Sequence, residues 1–276
     1  MVITQKGDTI TMLYGAMNFP IKPVLEELGA IANLGFDYME LTMDAPQAHY
    51  TVVRRIKDDL LNALERSHMR LICHLPTFVS TADLTEGLRE ASLREVLESL
   101  EVAAELRALK VVLHPSHHMG LSVFVIDQAR QYAMRSLEAI VNKAEQLGVC
   151  LCLENMLPKS NSLVNPEDFD KVFEQFPGLR MTFDTGHAHI DDGTEGTALA
   201  FIEKFPDRIY HVHANDNLGK EDNHLPIGTG TIDFPKIVKA LKEIGYDETI
   251  TLEIFSKDRD YLAMSKAKLE GLFREG

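Results

Sequence analysis

Residues 211–230 read HVHANDNLGKEDNHLPIGTG, and this stretch sets the fold and the chemistry of the chain. An apolar run leads into it and ends at His213, which predicts that His213 lies where a β-strand meets a loop. Further carboxylates, an imidazole and a glycine-punctuated turn follow: Asp216, Asp222, His224 and Gly228–Gly230. Imidazoles and carboxylates at this density beside glycines favour metal ligands delivered from a strand end over a solvated polar loop.

Strand-like and helix-like segments alternate along the whole chain, with no linker between them. Eight short apolar runs are typical of buried strands: Thr11–Met17, Phe36–Thr42, Arg70–His74, Leu109–His114, Val149–Asn155, Leu179–Asp184, Arg208–His213 and Glu248–Phe255. Segments with helical spacing of apolar residues separate them: Ile21–Leu34, Thr51–Ser67, Glu86–Arg107, Val125–Leu147, Pro166–Phe176, Thr197–Phe205, Phe234–Ile244 and Arg259–Phe273. Eight such units in 276 residues predict an α/β fold, a (β/α)8 TIM barrel, as a single domain over residues 1–276. A doubly wound open sheet, the alternative, usually has fewer strands.

Ionisable residues stand at the ends of the predicted strands from the third to the eighth. These residues are His74, His114, Glu154, Asp184, His213 and Glu253. The carboxyl ends of the strands of a (β/α)8 barrel converge on one mouth, where such enzymes hold their catalytic groups. Burying that many ionisable groups without a cation is costly. The pattern therefore predicts a metal or catalytic cluster, with a hydrogen-bonded polar plug as the alternative.

The composition of the chain argues against a broad nucleic-acid-binding protein and against a membrane-spanning one. The chain has 28 basic and 42 acidic residues, a net charge of −14, which argues against broad nucleic-acid binding. No window approaches the ~20 apolar residues needed to span a bilayer. The N-terminal segment MVITQKGDTITML lacks the basic flank and apolar core of a secretory signal. We therefore expect a cytoplasmic enzyme with no membrane partner, and leave open whether it forms a homo-oligomer.

The chain resembles the xylose isomerase-like TIM barrels, a superfamily of sugar and sugar-phosphate isomerases and epimerases that also includes endonuclease IV. The resemblance covers nearly the whole chain. It rests on Leu153-Glu154-Asn155, Phe183-Asp184-Thr185-Gly186-His187, His213-Ala214-Asn215-Asp216, Asp222-Asn223-His224 with Gly228-Thr229-Gly230, and Leu252-Glu253. These motifs are more specific to the superfamily than to any one activity within it.

The isomerase and epimerase branch implies four ligands of one divalent metal: Glu154, Asp184, His213 and Glu253. The two glutamates would then be the acid/base pair. Such a cation acidifies the C–H beside a chelated carbonyl by stabilising an enediolate. One carboxylate removes the proton and the other can return it on the opposite face. His187 would contact a substrate oxygen, with a purely structural role as the alternative.

The endonuclease IV branch implies a wider pattern of three zinc ions that hold a phosphodiester at an abasic site. The three sets of residues would be His74, His114 and Glu154; Glu154, Asp184, His213 and Glu253; and His187, Asp222 and His224. Three such ions could activate hydroxide and stabilise a leaving oxygen. A third hypothesis is a barrel that binds a metal or a sugar without catalysis.

The loops favour the sugar hypothesis over the nuclease. Base flipping on a duplex requires basic loops and wedge side chains, whereas residues 75–80 read LPTFVS and residues 43–49 read MDAPQAH, without lysine or arginine. Phe78 is predicted to form an apolar wall over a sugar, and His74 to contact the substrate beside it. The expected partner is a sugar or a sugar phosphate. The expected cofactor is one to three divalent ions, Mn or Zn first and Co or Mg next, because oxygen and imidazole ligands do not choose among them.

Overall fold

Eight parallel strands pair in chain order and close into a barrel in the computed structural model, which describes residues 12–275. The strands are β1 (Leu13–Met17), β2 (Tyr38–Thr42), β3 (Arg70–His74), β4 (Val111–Leu113), β5 (Leu151–Glu154), β6 (Arg180–Asp184), β7 (Ile209–Ala214) and β8 (Thr249–Leu252). The barrel closes where β8 pairs with β1, with Thr251 opposite Gly15. The predicted (β/α)8 class is therefore confirmed. The described residues do not include Thr11, the first residue of the first predicted strand. They also do not include the segment MVITQKGDTITML that was considered as a secretory signal, apart from its last two residues.

Ten α-helices surround the barrel in the described range. They are α1 (Val24–Asn33), α2 (Tyr50–Arg55), α3 (Lys57–Ser67), α4 (Glu86–Glu105), α5 (Ile126–Leu147), α6 (Asp170–Gln175), α7 (Thr185–His189), α8 (Gly196–Lys204), α9 (Phe234–Glu243) and α10 (Asp260–Arg274). Asp233 caps α9 by accepting the Lys236 N–H at 3.1 Å, and Gly148 ends α5 with a φ of +67°, as their residue types predict. None of these helices is both long and apolar enough to cross a bilayer.

The helical segments after β2 and β6 differ from the sequence prediction. The segment predicted as one helix over Thr51–Ser67 is two helices, because the backbone tightens at Ile56, whose N–H is shared between the carbonyls of Val52 and Val53. Helix α7 was not predicted. It follows β6 without a loop, and the Asp184 side chain caps it by accepting the His187 N–H at 2.6 Å.

The barrel interior is filled in layers that change from apolar to polar toward the carboxyl ends of the strands. Tyr38, Ile72 and Val112 form a small apolar cluster, separate from the large core between barrel and helices. The Tyr38 ring lies over Gly15, where a Cβ atom would stand 2.1 Å from it, so only glycine fits there. Because strand residues alternate between faces, the next inward positions carry polar groups such as Glu40 and His211. The positions after those form the candidate site.

Candidate metal centre

One cluster at the mouth of the barrel joins residues from four different strands. Glu154, Asp184, His213 and Glu253 each bring a ligand atom to within 4.8 Å of those of the others. His213 Nδ1 lies 3.4 Å from Glu154 Oε1, 3.5 Å from Glu253 Oε2 and 3.8 Å from Asp184 Oδ2. Glu154, Asp184 and His213 are fully buried, and Glu253 is 7% exposed. The strand ends therefore converge as the sequence predicts, although β8 stops one residue before Glu253.

Most of the ligand atoms that face each other in this cluster lack hydrogen bonds. Among the described residues, both carboxylate oxygens of Glu154, Nδ1 of His213 and Oε2 of Glu253 are buried and have no hydrogen-bond partner. A buried polar atom without a partner costs about 1–3 kcal/mol. A divalent cation would satisfy all of these atoms at once, and carboxylate and imidazole ligands suit Zn, Mn or Co. The residues present therefore fit a divalent metal.

Asp184 is held in place by its neighbours on β5 and β7. The Asn155 side chain makes two hydrogen bonds to the backbone of Asp184. Its Oδ1 accepts the Asp184 N–H at 2.8 Å, and its Nδ2 donates to the Asp184 carbonyl at 3.0 Å. Asn215 Nδ2 donates to Asp184 Oδ2 at 3.2 Å, and Asp184 stands directly opposite His213 in the pairing of β6 with β7. These contacts fix the carboxylate before any ligand binds, which is what a preorganised site requires.

A second group shares Glu154 with the first. His74, His114 and Glu154 also bring ligand atoms within 4.8 Å of one another. His74 donates from Nδ1 to the Leu75 carbonyl at 2.8 Å, so its Nε2 is left to face Glu154 Oε2 at 3.6 Å. His114 Nε2 lies 3.2 Å from the same oxygen. This geometry matches the first of the three predicted zinc sets.

The ligand atoms of the third predicted set, His187, Asp222 and His224, are not all close to one another. Asp222 Oδ2 lies 3.4 Å from His187 Nε2 and 3.0 Å from His224 Nε2. His187, Asp222 and His224 do not form a group of mutually close ligand atoms in the part of the chain that the structure describes. His224 has a φ of +46°, a left-handed backbone that a side chain other than glycine adopts at a cost. Its Nδ1 donates to the Glu253 carbonyl at 3.1 Å, so it also supports the first group.

The charges of the cluster are strongly coupled in the metal-free protein. Burial raises the pKa of Asp184 from 3.8 to about 7, opposed by the nearby His187. Burial also disfavours protonated His213, but Glu40, Glu154 and Glu253 raise its pKa well above the ordinary value. Burial disfavours ionised Glu154, yet His213 and His114 hold its pKa well below the ordinary value. Protonated His213 therefore balances part of the negative charge of the carboxylates, which a bound cation would otherwise balance.

Other residues singled out by the sequence have different roles or surroundings. Asp216 is not available as a ligand, because its carboxylate accepts the N–H groups of Gly228 and Gly230 at 2.9 Å and anchors the glycine turn. Phe78 is 88% exposed in the loop after β3, so it can cover a ligand only from the solvent side.

Sequence reasoning missed two buried residues beneath the cluster, Glu40 and His211. His213 Nε2 and His211 Nε2 each lie 2.9 Å from an oxygen of Glu40, and all three side chains are fully buried. The signal was a carboxylate in the middle of an otherwise apolar strand, Phe36–Thr42, together with the His-x-His pattern of the seventh strand. Neither signal says alone that β2 and β7 meet across the barrel.

Comparison with known proteins places this architecture in a family. The family described as xylose isomerase-like TIM barrel matches residues 28–275. The chain belongs to this family. An uncharacterised protein of Methanocaldococcus jannaschii, MJ1311, is 31% identical over 88% of this chain and 84% of its own length. The crystal structure of a D-tagatose 3-epimerase-like protein superposes with a TM-score of 0.84 at 30% identity, covering 95% of this chain and 97% of that one. A probable endonuclease 4 of Aquifex aeolicus is 24% identical over 84% of this chain and 87% of its own length.

Proposed function

We propose that the protein is a divalent-metal-dependent isomerase or epimerase of a sugar or sugar phosphate. The observation that carries this proposal is the convergence of ligand atoms from Glu154, Asp184, His213 and Glu253 at the barrel mouth, where those of Glu154, His213 and Glu253 are buried without a hydrogen-bond partner. The similarity to a D-tagatose 3-epimerase-like protein over almost the full length of both chains supports the substrate class. The net charge of −14 also suits a small-molecule substrate better than a DNA backbone.

The proposed chemistry is proton transfer at a carbon beside a carbonyl. A divalent cation held by the four ligands would stabilise the negative charge that develops on the substrate oxygens. Glu154 stands at the end of β5 and Glu253 after β8, so the two carboxylates approach the mouth from separate strands. One carboxylate takes the proton from one face of the substrate, and the other returns a proton to the opposite face, which inverts the carbon.

His187 is proposed to bind a substrate oxygen. Its Nδ1 donates to the Asn155 carbonyl at 2.9 Å, which fixes the ring and directs Nε2 toward Asp222 and the interior of the mouth. His74 is held in the same way by the Leu75 carbonyl and presents Nε2 beside Glu154. Both rings are thus oriented before substrate binds, one on each side of the Glu154 carboxylate.

Deuterium exchange tests the proposal without knowledge of the exact substrate. The protein loaded with Mn, Co or Zn is incubated in D2O with free and phosphorylated ketoses, and NMR follows loss of the C–H signal beside the carbonyl. We expect metal-dependent exchange with at least one sugar and its loss in Glu253→Gln. The exposed Glu243 in α9 supplies the matched control, Glu243→Gln, which should exchange like the wild type. Bound metal without exchange on any sugar would contradict the proposal.

The second candidate function is a zinc-dependent phosphodiesterase that cleaves abasic DNA. It is favoured by the second ligand group of His74, His114 and Glu154 and by the similarity to a probable endonuclease 4. Chelator-sensitive cleavage of an abasic duplex, with no exchange on any sugar, would select it. Metal binding with neither activity would select a non-catalytic barrel.

A further inference from the structure

A line of buried polar side chains crosses the interior of the barrel below the proposed metal centre. His213 Nε2 lies 2.9 Å from Glu40 Oε1, and His211 Nε2 lies 2.9 Å from Glu40 Oε2. The Thr251 hydroxyl also bonds to Glu40 Oε2, and Tyr38 bonds to Thr251 at 2.8 Å. Glu40, His211, His213 and Thr251 are completely buried. The carboxylate thus receives bonds from three side chains of β7 and β8.

Thr249 and Lys110, at the end of this line away from the metal centre, help to determine which atom donates in each hydrogen bond. His211 Nδ1 lies 2.7 Å from Thr249 Oγ1, and Lys110 Nζ lies 3.0 Å from the same oxygen. A lysine ammonium group can only donate, so it occupies one lone pair of Thr249, whose proton can go to His211 Nδ1 at 2.7 Å or to the Tyr210 carbonyl at 3.3 Å. The shorter contact favours His211 Nδ1, as does ionised Glu40 on the other side of the ring, since a carboxylate can only accept. His211 then carries its own proton on Nε2, where it is donated to Glu40. Each donor in the line meets an acceptor.

Glu40, His211 and His213 have the composition of a metal site, and their ligand atoms lie within 4.8 Å of one another. The bonding pattern favours a different role. Within residues 12–275 no side-chain atom of Glu40 or His211 is buried without a partner, whereas His213 Nδ1, on the opposite side of its ring, is. A cation among these hydrogen-bonded atoms would have to displace several hydrogen bonds, whereas the unpartnered ligand atoms of Glu154, His213 and Glu253 lie at the mouth.

We infer that Glu40 is a positioning residue, which holds His213 with its proton on Nε2 and so makes Nδ1 the atom that binds the metal. This inference rests on the proposed metal centre. An ionised carboxylate can only accept, so His213 must present an N–H to Glu40 from Nε2. When the ring loses its other proton, the lone pair on Nδ1 points toward Glu154, Asp184 and Glu253. His211 and Thr251 in turn hydrogen-bond to the carboxylate and fix its position. Such partners of a ligating histidine raise its basicity and are worth about 10–100-fold in metal affinity.

The test measures zinc affinity by chelator competition in Glu40→Gln and in a matched control. Thr182→Val is the control, because Thr182 is also fully buried in the barrel and its hydroxyl has no partner in the described structure. We expect Glu40→Gln to bind zinc about 10–100-fold more weakly with the same number of ions per chain, and Thr182→Val to bind like the wild type. A purely structural role would instead lower the unfolding midpoint of metal-free Glu40→Gln and leave its zinc affinity unchanged, which would overturn the inference. Loss of one ion per chain would also overturn it, since Glu40 would then be a ligand.

A second measurement needs no variant. Long-range ¹H–¹⁵N NMR of the zinc-loaded wild type, with His213 assigned, distinguishes a ring bound through Nδ1 from one bound through Nε2. A ring with zinc on Nδ1 and a proton on Nε2 is expected, and zinc on Nε2 would refute the inference even if Glu40→Gln failed to fold. A wild type that binds no divalent metal would instead refute the proposed function, so the two failures are distinguishable.

Discussion

Replacing Asp184 by asparagine is expected to make the metal-free protein more stable while destroying its metal site. Asp184 is fully buried and its pKa is raised by burial from 3.8 to about 7. A carboxyl group whose pKa is higher in the folded state opposes folding once the pH exceeds its unfolded value, and the cost grows until the folded pKa is passed. The metal-free protein therefore loses stability through this group as the pH rises from about 4 to 7.

The size of the expected gain in folding stability follows from the same change in the pKa of Asp184. At pH 8 the ionised Asp184 costs about 4 kcal/mol of folding free energy, and at pH 5 about 2 kcal/mol. The new amide keeps the bond to the His187 N–H. It turns its NH2 toward Asn215, whose unpartnered Oδ1 can accept after an amide flip. We therefore expect Asp184→Asn to be more stable than the wild type at pH 8 by up to about 4 kcal/mol, and by clearly less at pH 5.

Urea unfolding with EDTA present, at pH 8 and pH 5, measures this difference. Asp222→Asn is the control with the opposite sign. Burial disfavours its ionisation, but hydrogen bonds to His187 and His224 keep the pKa of Asp222 well below its ordinary value. That variant should be less stable than the wild type at pH 8. Equal stability of Asp184→Asn and the wild type at both pH values, or a loss at pH 8, would refute the reasoning from burial.

Three other results are expected. Glu253→Gln should slow C–H exchange by about 10²–10⁴-fold with the fold intact by circular dichroism, and an unchanged rate would rule out its acid/base role. Zinc affinity should rise with pH through about 7 and continue to rise above it, because Asp184 must ionise and His213, whose pKa lies well above its ordinary value, must lose a proton when the metal binds. Calorimetry in buffers of different ionisation enthalpy would count the released protons, and a pH-independent affinity would speak against the ligand set. Adding EDTA to the metal-loaded protein should lower its Tm, because a metal that binds only the folded state stabilises it. The decrease should be larger when the metal concentration before EDTA is higher relative to the Kd. An unchanged Tm would argue that no metal was bound.

The barrel and the main cluster could be predicted because both follow from local patterns. Each strand is a short apolar run, and the ionisable residue after the run marks its carboxyl end, as with Asp184 and His213. Parallel strands in a closed barrel bring such ends together whatever the details of the loops. The carboxyl ends of the strands were predicted one residue too late at β4 and three residues too late at β8, where His114 and Glu253 follow the strand instead of ending it.

The groups below the cluster could not be predicted because they depend on contacts across the barrel. Glu40 and His213 are 173 residues apart in the chain, and only the closure of the barrel places β2 opposite β7. Asp216 was misread for a related reason. A carboxylate near glycines looks the same in sequence whether it binds a cation or accepts backbone N–H groups, as Asp216 does from Gly228 and Gly230.

The most direct test of the metal centre is a crystal soaked with zinc or manganese and measured at the absorption edge of that metal. An anomalous peak should lie among Glu154, Asp184, Glu253 and Nδ1 of His213, with ligand distances of about 2.0–2.2 Å. Further peaks beside His74 and His114, or beside Asp222 and His224, would favour the phosphodiesterase. Density maps with no peak among the four ligands at a saturating metal concentration would contradict the proposed centre.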